Sequence, residues 1–75
     1  MKRELINKAL RSIARDLNTM KIFLQQDNFE MYAHMFGVAC NKADLLLDMD
    51  LISFEKHHLL RRIISRVSED GREEA

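Results

Sequence analysis

The sequence has no proline, no tryptophan, two glycines (Gly37 and Gly71) and one cysteine, Cys40. Each shortage excludes something. One cysteine cannot form an internal disulfide, so a stapled secreted scaffold is ruled out, and a lone thiol fits a reducing compartment. Without proline and with little glycine, the chain lacks the turn residues that a sandwich or barrel needs roughly every 8–12 positions. No C-x-x-C, Gly-rich phosphate loop or G-x-S-x-G is present. Neither sign of charge is in excess: 12 Lys and Arg balance 12 Asp and Glu. That argues against a general nucleic-acid binder, which carries a marked basic excess. No apolar run approaches the roughly 18 residues of a membrane span. The opening MKRELINKALRSIARDL is basic but contains Glu4 and Asp16 and no continuous apolar stretch. It therefore reads neither as a secretory signal nor as a transit peptide, and a cytoplasmic protein is expected.

What is present favours helices. Leu, Ala, Met, Arg, Lys and Glu dominate, all of them good helix formers. A chain of 75 residues is marginal on its own, because so small a domain buries too little surface. With no disulfide to help, its core must come from helix packing, within this chain or shared with a second copy.

Three helices are predicted. The first spans about Lys2–Gln26, where Ile6, Leu10, Ile13, Leu17, Met20 and Leu24 recur at spacings of 4 and 3 in a continuous seam. Ala9 and Ala14 flank this seam, and Lys8, Arg11 and Arg15 lie on the other face. Asp27 followed by Glu30 reads as a capping box opening the second helix.

The second helix, about Asn28–Met49, confines its polar groups to one narrow stripe: Glu30, His34, Gly37, Asn41, Asp44 and Asp48. Nearly everything else is apolar, so the apolar arc covers about 240° at 100° per residue. A helix on the surface of an ordinary domain needs a stripe only somewhat over 100° wide, so this one must be covered from two sides. Lys42 is the one charge inside the arc, and its stem is expected to snorkel.

Ser53 is the expected N-cap of a third helix, about Phe54–Ser68, with an apolar stripe of Leu59, Leu60, Ile63, Ile64 and Val67. His58, Arg61, Arg62, Ser65 and Arg66 face away from that stripe, and Phe54 is expected to pack around the turn. Residues 1–68 form one helical domain. Residues 69–75 carry four acids, one arginine and no large apolar group, so a disordered acidic tail is expected there.

The fold class that follows is all-α: an antiparallel three-helix bundle with the second helix in the middle. The alternative is a helical hairpin with a short third helix, completed by homodimerisation. Charge alternates by segment, with six basic and two acidic residues over 1–26, one and five over 27–50, and four and one over 51–67. An acidic middle helix between basic neighbours favours antiparallel packing.

For chemistry the sequence offers little. His34 and Cys40 lie six residues apart on different helix faces, and His57 and His58 are adjacent and diverge, so no metal site is expected. Asp44 with Asp48, and Glu30 with His34, sit one turn apart but read as a solvated stripe. No catalytic residue and no cofactor are expected. What remains is a non-catalytic regulator or adaptor acting by protein–protein contact through a helical face. Met31, Met35 and Met49 lie along one edge of the second helix, and methionine adapts to irregular partners. They are candidate partner-binding residues, as are Arg62 and Arg66. The alternative is a nucleic-acid-binding regulator that presents the basic face of the third helix. A membrane-surface role is not expected, because the first helix lacks the aromatic enrichment of interfacial helices.

Overall fold

A computed structural model describes the backbone of residues 1–74 and the side chains of residues 1–68. It contains three helices: α1 (Lys2–Gln25), α2 (Phe29–Asp48) and α3 (Phe54–Glu74). All three pairs are in contact, giving an all-α three-helix bundle of 39 × 19 × 17 Å. The chain runs up, down and up. Leu5 of α1 shares a recess with Leu45 and Leu46 near the end of α2. Ile6 lies with Leu60, and Leu17 with Val67, so α1 and α3 point the same way.

The first two helices end identically, and the endings explain why the chain manages with so little glycine. Asn28 N–H donates to Phe23 C=O at 2.8 Å and Asp27 N–H to Leu24 C=O at 3.1 Å. Leu51 N–H donates to Leu46 C=O at 2.9 Å and Asp50 N–H to Leu47 C=O at 3.0 Å. Both are Schellman endings, whose turning residue is left-handed and usually glycine. Here Asp27 and Asp50 hold that position, each with φ 56°. Asp tolerates the left-handed region better than most side chains because it is short and can hydrogen-bond locally.

This geometry corrects the capping assignment at α2. Asp27 is occupied in closing α1, so the cap moves on by one residue: Asn28 Oδ1 accepts from Met31 N–H at 3.3 Å. At α3 the expected cap is found, with Ser53 Oγ accepting from Lys56 N–H at 3.2 Å. Phe54, expected to pack around the turn, stands exposed at the start of α3. The helix runs on past Ser68 to Glu74, since the Glu- and Arg-containing segment is helix-compatible and no proline stops it. The acidic tail expected over 69–75 falls on side chains outside the described residues.

The core is built from Ile13 and Met20 of α1, Ala39, Cys40, Ala43 and Leu46 of α2, and Ile64 and Val67 of α3. Ala39 and Ala43 are both fully buried, and small side chains at a helix contact permit a close approach. Ile13, Leu17, Met20 and Leu24 of the predicted seam either belong to this core or pack against it.

Candidate functional site

The α1 seam faces two neighbours, and only one of them covers it well. Between α1 and α3 lie two adjoining recesses. One, about 260 Å³, is lined by Ile6, Leu10, Ile52, Lys56, Leu59, Leu60 and Ile63. The other, about 380 Å³, is lined by Ala14, Leu17, Asn18, Lys21, Ile63, Arg66 and Val67. Ile63 belongs to both, so they form one groove. Three of its apolar walls remain open to solvent: Leu10 is 37% exposed, Leu59 53% and Ile63 50%. The charged side chains lining it among the described residues are Lys21, Lys56 and Arg66, all basic.

Leu59 and Ile63 belong to the predicted apolar stripe of α3, yet they lie outside the core. The signal that places them outside was present in the sequence. Leu59 and Leu60, like Ile63 and Ile64, are adjacent residues and so point about 100° apart. A stripe of such pairs is two rows wide, and the row of Leu60, Ile64 and Val67 takes the core.

Two polar contacts fix the helices relative to each other. Lys42 does not snorkel to solvent. Its Nζ donates to Asp16 Oδ2 at 2.6 Å and to Ser12 Oγ at 2.7 Å, both on α1. Asp16 is 8% exposed and is the buried charge of the interface. A buried carboxylate is tolerated only with such a partner. The second contact joins α2 to α3. His57 Nε2 donates to Asp44 Oδ1 at 2.6 Å, and Arg61 Nη1 lies 3.8 Å from Asp44 Oδ2. Asp44 is thus a helix-to-helix anchor as well as a member of the polar stripe. Cys40 is buried. Burial pushes its thiol above the usual range, with Asp44 adding to the rise and nearby Arg61 acting against it.

The candidate partner-binding residues divide. Met31 and Met49 are exposed, and Met35 packs against the core. Met31 and Met49 stand 18 positions apart, which is about 27 Å along a helix, so the three do not form one patch. Arg62 and Arg66 are both exposed on α3 and line a shallow surface recess of about 400 Å³ with His58, Arg61 and Ser65. Arg66 also borders the α1–α3 groove.

Family models, curated proteins and solved structures were all searched, and nothing matches this chain. Among the described residues no three His, Cys, Asp or Glu side chains gather into a metal-binding group, and no helix is long and apolar enough to cross a membrane. Gly37, on the polar stripe of α2, has nothing within 4 Å of where a Cβ would stand, so no close backbone approach explains it.

Proposed function

We propose that this protein is a non-catalytic regulator or adaptor that acts by protein–protein contact, and that the α1–α3 groove is its contact face. The observation that carries this reading is the groove itself: a concave, apolar surface flanked by two rigid helices, with Leu10, Leu59 and Ile63 left partly in water. Contiguous apolar surface of this kind marks an interaction site more often than scattered exposed side chains do. The mechanism is occupancy, in which a preformed face docks without chemistry, so little ordering entropy opposes binding.

The test is affinity capture from the native cell, with the mass of the intact complex measured. Capture that is lost on Leu59→Asp with Ile63→Asp, and kept on Met31→Ala with Met49→Ala, supports the groove. Both pairs sit at exposed positions, and a thermal melt checks that each variant folds. Capture lost only on the methionine pair moves the contact to the edge of α2.

A second reading has its own observation. Among the described residues, the recess formed by His58, Arg61, Arg62, Ser65 and Arg66 is lined by no carboxylate, a composition that suits a phosphate backbone. It predicts DNA or RNA binding that weakens steeply with salt and is lost on Arg62→Glu with Arg66→Glu. No binding at low salt removes it.

A further inference from the structure

We infer that the α1–α3 groove receives an acidic, amphipathic helix from a partner protein, which completes a four-helix arrangement; the inference rests on the contact reading above and specifies its partner.

Three features of the groove select this occupant. The first is shape. Two helices pointing the same way leave a furrow between them, and the element that fills such a furrow at ordinary helix spacing is another helix. From Lys56 to Val67 the α3 wall spans 12 residues, about 16 Å, which matches roughly three turns of a docked helix. A lipid surface needs protruding apolar side chains, whereas these lie in a furrow.

The second feature is the wall chemistry. Ile6, Leu10, Leu59 and Ile63 call for an apolar stripe at i, i+3, i+4 and i+7, the pattern by which an amphipathic helix anchors in a groove.

The third is charge. The charged groups on the walls are Lys21, Lys56 and Arg66, with no carboxylate among the described residues lining the groove. Glu or Asp on the shoulders of the incoming helix meets each of them. The same charges disfavour a second copy. A two-fold pairing through this face would set Lys21, Lys56 and Arg66 against their own duplicates.

The experiment uses the full chain and a set of fluorescein-labelled helical peptides of about four turns. All share one Leu/Ile stripe, and the shoulder residues are Glu, Gln or Lys. Anisotropy is read at low and at raised salt, and sedimentation of the protein alone is measured in parallel. The expected result is binding ranked Glu above Gln above Lys, with the Glu peptide weakening as salt rises. Lys56→Glu with Arg66→Glu, both at exposed positions, should weaken the Glu peptide on the order of tenfold and strengthen the Lys peptide. That exchange of preference cannot come from misfolding.

Equal binding of all three peptides, lost on Ile63→Asp, overturns the acidic preference and leaves the contact reading standing. So does a dimer of the unliganded protein that dissociates on Ile63→Asp, since the occupant is then a second copy. No peptide binding up to about 1 mM by a protein that is monomeric overturns the inference. If anionic vesicles or a single-stranded oligonucleotide then bind instead, the contact reading falls with it.

Discussion

Along α1, the flank toward α2 and the flank toward α3 are both apolar, yet the first opens only at its Leu5–Leu45 end while the second is half open from Leu10 to Ile63. On the α2 side, Ala39 and Ala43 are fully buried, Met20 and Ile13 are buried, and Lys42 bonds to Asp16 and Ser12 across the contact. On the α3 side, Leu59 and Ile63 stand beside Leu10 without meeting it closely enough to exclude water. The difference shows that an apolar seam does not determine its own burial. Small buried residues such as Ala39 and Ala43 permit a close helix contact, whereas the paired Leu59–Leu60 and Ile63–Ile64 rows leave one row in water.

The largest test of this contrast compares truncations on the two flanks. Met20→Ala should cost about 2–5 kcal/mol, because Met20 is fully buried and the cavity cannot collapse against close-packed neighbours. Leu59→Ala should cost less than about 1 kcal/mol, because half of that side chain is already in water, and the less exposed Leu10→Ala about 1–2 kcal/mol. Urea unfolding of the three variants checks this, and similar losses on both flanks would contradict the picture of one closed contact and one open one.

The polar lock comes next. Asp16→Ala should destabilise by about 1–3 kcal/mol, because Lys42 loses its carboxylate partner in a half-buried position. Asp16→Leu with Lys42→Met should recover most of that loss, since replacing both partners by apolar groups avoids a stranded charge. A double-mutant cycle gives the coupling; additivity of the two single changes would show that the pair does not lock the register.

Gly37→Ala is a control remote from both flanks. It should stabilise by about 0.5–1 kcal/mol through helix propensity alone, read as a rise in the urea midpoint. A loss would reveal a close neighbour that the structure does not contain. The smallest effect is expected at the turn between α2 and α3. Asp50→Gly should stabilise by roughly a few tenths of a kcal/mol, because glycine adopts the left-handed conformation at no steric cost. If stability falls instead, the Asp50 side chain contributes more there than its backbone conformation costs.

Much of this was legible in the residues. The 4-and-3 spacing of Ile6 to Leu24 determined α1, the narrow polar stripe determined α2, and Ser53 marked the start of α3. The wide apolar arc of α2 implied two neighbours, and α1 and α3 are those neighbours. Spacing misled where two residues competed for one role. Asp27 matches a capping box as well as a left-handed turn, and the closing of α1 decided which it became. Lys42 looked like a snorkelling charge because nothing in the local sequence points to Asp16, 26 residues earlier. His57 and Asp44 likewise meet across helices, 13 residues apart in the chain, and no local pattern pairs them.

By itself the sequence determined where the helices lie and which faces are greasy, because periodicity and capping act over a few residues. Only the tertiary structure decided which greasy rows are covered, which charges meet across helices and where the open furrow runs. Those depend on how closely two backbones approach, and that distance is set by side chains far apart in the chain.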